Sequence, residues 1–253
     1  MKKYSLITGA SRGIGKAFAE ALAQKGKDLI LIARSEKELE AIAFDLQKKY
    51  SIDVKVFKQD LSHTHSAEEL FEKTKDLKIE MLINNAGFGV TNDFSKNDVL
   101  ELEKMLVLNV VTLTKLSRLY LEQLKENKGS LINISSRAAF QPIPFMAAYA
   151  ASKAYVLHFS EAIFEELKDE GIHVMALCPG ATETDFWEVA HMDPRKIKFE
   201  IQSPAFVVET ALNALEKKYP FAIPGFKNNA TAFATRFLPR DLVTRISRKL
   251  IGR

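Results

Sequence analysis

Two residues with acid–base chemistry, Tyr149 and Lys153, stand four positions apart in an alanine-rich stretch of the chain. On a helix, residues four apart lie on one face, so both side chains can reach one cleft. The pKa of a free tyrosine is about 10. An ammonium group beside it favours the phenolate and lowers this pKa. A group that gives and takes a proton near neutral pH needs such a shift. The same spacing is equally typical of an ordinary amphipathic helix.

A serine precedes this pair at a position that suits the same chemistry. Ser136 follows the apolar run 131–134, which is typical of a buried strand. A strand ending in this serine, followed by a loop into the Tyr149 helix, would put the hydroxyl beside the phenol. Ser136 could then hydrogen-bond a substrate oxygen.

A glycine-rich turn, T-G-A-S-R-G-I-G at residues 8–15, joins the first predicted strand to an apolar-periodic helix. Gly9 permits the tight turn, while Gly13 and Gly15 let the backbone approach a ligand and the helix pack on the sheet. The N–H groups at the helix start can then bind a pyrophosphate. The alternative is a plain strand-to-helix turn.

Two arginines favour one form of a dinucleotide over the other. The second predicted strand, 28–33, ends in Ala33, where an NAD site usually carries an acidic residue. Arg34 follows it, and Arg12 lies in the glycine turn. Two guanidinium groups without a carboxylate suit a 2′-phosphate, so NADPH is favoured over NADH, with solvated surface arginines as the alternative.

Asp60 follows the third predicted strand and could accept a hydrogen bond from an adenine amino group. His63 and His65 come next in a polar turn. Because no cysteine or further ligand stands near them, we interpret them as loop residues and predict no metal site. Ser62 or Ser66 is interpreted as a helix cap.

Small residues follow two further strands. The sequence N-N-A-G at 84–87 ends the fourth strand, where a cofactor would lie close to the backbone. After the sixth strand, Thr182 and Thr184 could offer hydroxyl groups to a carboxamide. Between these strands a long helix is predicted over 97–126, and Asn109 lies in its apolar pattern. A buried amide requires partners, so Asn109 is either a satisfied core amide or part of a proton-relay water chain.

Composition indicates one large core. The chain has 253 residues, 47% of them hydrophobic, which predicts one α/β domain over 1–253. No run of eighteen apolar residues occurs, and the N-terminus leads straight into a strand, so we expect neither a spanning helix nor a signal peptide. Cys178 is the single cysteine, interpreted as a small buried apolar residue. A cytoplasmic location is expected.

The net charge of +4 is uneven, because residues 227–253 carry seven basic side chains and one acidic one. The preceding body is slightly acidic, and the chain has no nucleic-acid motif or internal repeat. We therefore expect no nucleic-acid partner. Residues 240–253 form a basic amphipathic pattern, which either lies on an anionic membrane or, more commonly, packs on a neighbouring subunit or on the chain's own core.

Residues 185–203 have no clean periodicity, yet they contain Phe186, Trp187, Met192 and Phe199. An irregular segment with large apolar side chains beside a site is typical of a substrate lid. Short surface helices packed on the core are the competing interpretation.

Three separated blocks, T-G-A-S-R-G-I-G, N-N-A-G and Ser136 with Y-A-A-S-K, occur in the order that the short-chain dehydrogenase/reductase family shows. Over about its first 185 residues the chain closely resembles that family. The resemblance implies a doubly wound Rossmann fold, with seven mainly parallel strands and helices on both faces in three α/β/α layers. It also implies a homodimer or homotetramer whose main interface is formed by the helices around Asn109 and Tyr149.

The resemblance implies four catalytic residues. Asn109 belongs to the proton relay, Ser136 positions the carbonyl and Tyr149 is the acid/base. Lys153 holds the ribose and lowers the pKa of the tyrosine. The implied NADP(H) contacts are Gly9, Ser11, Arg12, Gly13, Ile14, Gly15, Arg34, Asp60, Leu61, Asn85, Ala86, Gly87, Tyr149, Lys153, Pro179, Gly180, Thr182 and Thr184.

These expectations combine into an NADPH-dependent carbonyl reductase or alcohol dehydrogenase. Its expected substrate is an apolar small molecule with a ketone, aldehyde or secondary alcohol group. Two other functions compete with it. One is a membrane-surface reductase of long-chain acyl or sterol-like ketones, with peripheral contact through the tail. The other is a non-catalytic NADP-binding regulator.

Overall fold

The computed structural model describes residues 2–186, 190 and 200–250, and its centre is a seven-stranded sheet in the order β3-β2-β1-β4-β5-β6-β7. Every neighbouring pair is parallel. The predicted doubly wound Rossmann sheet is therefore confirmed. The strands are β1 Tyr4–Thr8, β2 Asp28–Ala33, β3 Val54–Lys58, β4 Ile79–Asn84, β5 Ser130–Ile134, β6 His173–Leu177 and β7 Phe221–Ala222.

Helices cover both faces of this sheet. They are α1 Gly13–Gln24, α2 Glu36–Tyr50, α3 Ser66–Thr74, α4 Val99–Leu106, a π-helix Val107–Thr112, α5 Leu113–Leu119, α6 Leu121–Asn127, α7 Ala147–Leu167, α8 Pro204–Glu216, α9 Phe226–Ala234 and α10 Arg240–Leu250. Short 3₁₀ turns occur at Phe94–Lys96, Arg137–Phe140 and Lys168–Glu170.

The alternation of side chains along each strand divides the core into two layers. In β1, Ile7 packs with α1, α2 and α8 on one face, whereas Leu6 packs with α3, α6 and α7 on the other. Both residues are fully buried. Strands covered on both faces read as continuous apolar runs, which is why β2 was predictable from D-L-I-L-I-A alone.

The long helix predicted over 97–126 is divided. Residues Val107–Thr112 form a π-helix between α4 and α5, and Tyr120 ends α5 before α6 begins. Apolar periodicity does not distinguish these turns from an uninterrupted α-helix. Asn109 lies in this wider turn. Its side chain hydrogen-bonds to the backbone of Phe88, which precedes it by 21 positions.

Two local predictions were wrong or incomplete. Neither Ser62 nor Ser66 caps α3, because His65 is the capping residue and Ser66 Oγ donates to the carbonyl of His63 at 2.6 Å. Ser62 Oγ instead donates to Asp60 at 2.7 Å. The sequence interpretation also missed α9, whose buried side consists of small or polar residues.

Two predicted functional segments have different outcomes. The lid over 185–203 lies largely outside the described residues; of the four large apolar side chains named for it, only Phe186 is described. Its last part is anchored, since Gln202 forms a parallel bridge with Thr182. None of the described helices has the length and apolarity needed to cross a membrane. The cytoplasmic location stays a prediction.

Candidate active site

A cavity of about 420 Å³ opens at the carboxyl edge of the sheet, where the strand order changes direction between β1 and β4. Ligands of open α/β sheets bind at this kind of switch point. All the predicted site residues line the cavity except Gly15 and Asn109. The catalytic and cofactor predictions therefore converge on one place.

The glycine turn is held close to the end of β4. Thr8 Oγ accepts hydrogen bonds from the backbone N–H groups of Asn85 and Ala86, both at 3.0 Å. Asn85 Nδ2 donates back to the carbonyls of Thr8 and Gly9. Gly9 has φ +66°, and a Cβ there would stand 2.8 Å from Asn85 Nδ2, so only glycine fits this position.

The start of α1 is suited to a pyrophosphate. Gly13 has φ +54°, and a Cβ there would lie 2.9 Å from Thr184 Cγ2. Within the described part of the chain, Arg12 at the cap position makes no side-chain hydrogen bond to the helix, and the first turn holds no acidic residue. The first N–H groups of the helix therefore keep their positive partial charge toward the cavity.

Gly15 packs α1 against the glycine turn, and the cofactor contact predicted for it stays a prediction. It lies outside the cavity wall formed by the described residues. A Cβ at this position would stand 2.2 Å from the carbonyl oxygen of Gly9 and 2.5 Å from Asn85 Nδ2. The residue lets α1 lie directly against the turn, which explains the second glycine of G-I-G.

Arg12 and Arg34 both line the cavity near the end of β2. The prediction of a carboxylate-free site was wrong for Arg12: Nη1 donates to Asp185 at 2.9 Å, and Nη2 lies 3.4 Å from Glu38. These ion pairs are about half exposed, so each is weak and exchangeable. Arg34 lies in the cavity wall, where its charge helps to lower the pKa of Asp60, and its contact with a 2′-phosphate stays a prediction.

Asp60 lies at the wall of the cavity as predicted. Partial burial alone would raise the pKa of this carboxyl. Hydrogen bonds from the N–H and hydroxyl of Ser62, with the charges of His63 and Arg34, outweigh burial and hold the pKa below its usual value. An ionised carboxylate is an acceptor only, which suits an adenine amino group.

Tyr149 and Ser136 meet at the inner end of the cavity. Tyr149 is buried in the wall from α7, and Ser136 ends the segment that follows β5. Burial raises the pKa of Tyr149 to about 12, against a smaller opposing effect of the Ser136 hydroxyl. Ser136 Oγ accepts a hydrogen bond from the N–H of Ala138 at 3.1 Å, and its predicted hydrogen bond to a substrate oxygen stays a prediction.

Lys153 lies on the same side of α7 as Tyr149, with Nζ 5.9 Å from the centre of the tyrosine ring. Its Nζ donates to the carbonyl of Ile134 at 2.8 Å. Burial lowers the pKa of Lys153 to about 8, against the opposing charge of Cys178. The prediction that Lys153 lowers the pKa of Tyr149 is wrong for this structure, because burial dominates both groups and the ammonium bonds a backbone carbonyl.

Asn109 lies behind the cavity and not in its wall. Its Oδ1 accepts from the N–H of Phe88 at 3.2 Å, and its Nδ2 donates to the carbonyl of Phe88 at 3.0 Å and to Ser152 Oγ at 3.2 Å. Of the two interpretations, the satisfied core amide describes this geometry. A Cβ on Gly87 would stand 2.8 Å from Asn109 Oδ1. The lack of a side chain at Gly87 therefore leaves room for the amide of Asn109. The water relay stays a prediction.

Sequence reasoning missed an aromatic contact on the acid–base residue. The rings of Phe186 and Tyr149 lie 5.4 Å apart between centroids. Gly89 makes room for them, since a Cβ there would be 2.8 Å from Phe186 Cζ and 3.2 Å from Tyr149 Cδ2. Other cavity residues that were not predicted include Phe88, Gln141, Ile143, Met146, Ser247 and Leu250.

The last described helix, α10, packs against the chain's own core. Val243 and Ser247 are buried, and the Arg248 guanidinium lies 5.8 Å from the centre of the Phe145 ring. Ser247 and Leu250 reach the cavity wall. Of the locations predicted for the tail, the chain's own core therefore accounts for the inner side of α10.

Residues 3–194 match the family model described as short chain dehydrogenase. The chain belongs to the short chain dehydrogenase family. The enzyme is accordingly an oxidoreductase that acts on CH–OH groups.

Several relatives cover most of the enzyme. A 7beta-hydroxysteroid dehydrogenase of Clostridium sardiniense is 33% identical over 221 residues, which cover 87% of this chain and 84% of that protein. A very-long-chain 3-oxoacyl-CoA reductase of Anas platyrhynchos is 31% identical and covers 84% of this chain and 68% of the relative. The structure of a short-chain dehydrogenase from Sphingobium yanoikuyae in complex with NADPH superposes with a TM-score of 0.84 at 31% identity, covering 94% of each chain.

Proposed function

We propose that this enzyme is an NADPH-dependent reductase of bulky, apolar ketones. The observation that carries the proposal is the Tyr149 phenol, which is buried, shares the cavity wall with Ser136 and is faced by the Phe186 ring in a largely apolar cavity. A protonated phenol in this setting is a proton donor to a carbonyl oxygen. The surrounding apolar side chains favour a substrate with little polar surface.

Three residues of the chain have separate functions in the proposed reduction. NADPH bound along the glycine turn supplies the hydride. Tyr149, whose raised pKa keeps it protonated at neutral pH, gives its proton to the substrate oxygen. Ser136 lines the cavity together with Tyr149 and can hydrogen-bond the same oxygen. Asn109 acts indirectly, because its hydrogen bonds fix the backbone of Phe88 at the cavity wall.

The choice of NADPH is supported by the end of β2. Ala33 stands where a carboxylate would favour NADH, and Arg34 follows it in the cavity wall. Arg12 can exchange its two exposed carboxylate partners for a phosphate, since such pairs contribute little in water. The Sphingobium relative is a complex with NADPH, which agrees with this choice.

The size of the substrate is suggested by the relatives and by the cavity. The names of the Clostridium and Anas relatives refer to a steroid and to a very-long-chain acyl group, both large and mostly apolar. In this enzyme Ile143, Met146 and Leu250 extend the apolar wall beyond Tyr149. We therefore propose steroid-like or long-chain ketones, with the corresponding secondary alcohols as products.

The test is consumption of NADPH with a panel of ketones that increase in apolar size. Wild-type enzyme is expected to turn over the bulky members, and Tyr149→Phe to lose nearly all turnover while its affinity for NADPH is unchanged. Ser136→Ala is expected to lose activity to a smaller degree. If no ketone is reduced although NADPH binds, the enzyme is instead a non-catalytic NADP-binding regulator.

We also propose that the enzyme is a homodimer or homotetramer in solution. In the helices around Asn109 and Tyr149, the side chains Val99, Leu100, Val111 and Tyr155 are exposed although they are large and apolar. Such a surface is typical of a subunit interface. Light scattering coupled to size exclusion tests this, and a monomer at micromolar concentration would contradict it.

A further inference from the structure

The segment formed by α9, α10 and the turn between them exposes an unusual amount of apolar side chain. Phe226 is 88% exposed and Phe237 is 73% exposed, and Phe233 packs edge-on against Phe237 with ring centres 5.1 Å apart. Leu242 and Ile246 add two aliphatic side chains, each about two-fifths exposed. Large apolar patches of this kind mark a surface that contacts something other than water.

Basic residues accompany these apolar side chains. Arg236, Arg240 and Lys249 are exposed, and so is Arg245, which forms a helical pair with Asp241 at 2.7 Å. Asp241 is the single acidic residue of 227–253. The segment therefore combines rings and aliphatic chains with a strong excess of positive charge.

Helical spacing brings the two properties together on α10. Leu242, Ile246 and Lys249 follow each other at intervals of four and three, so they lie on one face, and Arg245 lies beside them. Val243 and Ser247 occupy the adjoining, buried side. A helix with one side in the core, an apolar stripe and adjacent long basic side chains can lie along a lipid headgroup layer.

We propose that this face, defined by Phe226, Phe233, Phe237, Leu242 and Ile246 with Arg236, Arg245 and Lys249, docks on the surface of an anionic lipid bilayer. Charge decides between this occupant and a second copy of the chain. In a symmetric contact the face would meet itself, so that basic residues oppose basic residues. An anionic bilayer provides opposite charge for the basic residues and an apolar layer for the rings.

The proposed membrane face lies next to the reaction cavity. The same helix, α10, supplies Ser247 and Leu250 to the cavity wall. A docked enzyme would therefore hold the wall of its reaction cavity next to the lipid surface. The contact itself does not depend on the proposed ketone reduction, and its measurement uses no turnover.

The experiment is co-sedimentation of the full chain with vesicles of phosphatidylcholine, with and without phosphatidylserine. We expect binding to the phosphatidylserine vesicles that falls as salt rises, and much less binding to phosphatidylcholine alone. The charge reversals Arg236→Glu and Lys249→Glu together should weaken binding by at least roughly tenfold. Phe237→Ser with Ile246→Ser should abolish it.

Controls keep the result interpretable. Phe44 and Lys48 form an exposed aromatic and basic pair on α2, outside this face, with Nζ 6.0 Å from the ring centre. Phe44→Ser with Lys48→Glu should leave vesicle binding unchanged, and circular dichroism should show that all variants are folded. Equal binding to both vesicle types, absence of binding, or an oligomer that dissociates in Phe237→Ser would each overturn the proposal.

Discussion

Lys153 donates a hydrogen bond from Nζ to the carbonyl oxygen of Ile134 at 2.8 Å, so the end of β5 holds the ammonium beside Tyr149. The ammonium group of Lys153 is buried, and burial disfavours its charged form. Its pKa falls to about 8 from an ordinary value of 10.5. This difference makes the stability of the protein depend on pH.

Lys153→Met should remove part of that dependence. Between pH 8 and 10.5 the unfolded chain binds more protons at this lysine than the folded chain does, so the free energy of unfolding rises with pH across that window. The full rise is on the order of 3 kcal/mol. The raised pKa values of Cys178 and Tyr149 oppose this contribution, so the quantity to measure by denaturant unfolding is the difference in unfolding free energy between wild type and Lys153→Met, which should move in favour of wild type as pH rises across the window. The exposed Lys48→Met is the control, and parallel curves for all three proteins would contradict the assignment.

Asn109→Leu should impair both stability and turnover. The substitution leaves the N–H and carbonyl of Phe88 without their buried partner, which costs about 1–3 kcal/mol. It also releases the backbone at the cavity wall, so kcat should fall. Asn127→Leu is the matched control: its amide bonds the carbonyls of Ile79 and Gln123 far from the cavity. The control should lose stability and keep turnover, and equal kinetic effects in both variants would exclude a positioning function for Asn109.

Arg34→Asp should shift the preference from NADPH toward NADH. A charge-assisted bond to phosphate contributes about 1.5–3 kcal/mol, so KM for NADPH should increase by roughly tenfold or more. KM for NADH should change little or fall, because the new carboxylate can accept from a ribose hydroxyl. Steady-state kinetics with both cofactors measure the shift. Arg118→Asp is a control on the exposed side of α5, and an unchanged cofactor ratio in Arg34→Asp would refute the interpretation of this strand end.

Gly89→Ala should reduce turnover through Phe186. The new Cβ would lie 2.8 Å from Phe186 Cζ, so the ring must leave its place on Tyr149. Phe186→Leu removes the atoms in conflict. We therefore expect Gly89→Ala to be harmful in the wild-type background and nearly neutral when added to Phe186→Leu. Strictly additive losses in kcat would show that the glycine acts through another neighbour.

Much of the fold was predictable because its signals are local. Strand β2 has the bounds 28–33 expected from its apolar run. The convergence of Tyr149, Ser136 and the glycine turn followed from the rule that parallel strands end at one edge of a sheet.

The remaining features depend on contacts that no local pattern contains. The widened turn at Asn109 depends on Phe88, a residue 21 positions away in sequence. The raised pKa of Tyr149 depends on how deeply this side chain is buried in the folded protein. The cavity contact of Leu250 depends on the path of the chain after β7.

The π-helix Val107–Thr112 holds one residue more in its wider turn than an α-helical turn does. Removing one amino acid other than Asn109 from this segment should therefore return it to α-helical winding, while α4 and α5 keep the same faces toward the core. The same deletion within the regular winding of α5 would rotate the residues on one side of the cut by about 100° relative to the other. A single-codon deletion should thus be tolerated better inside the π-helix than one turn after it.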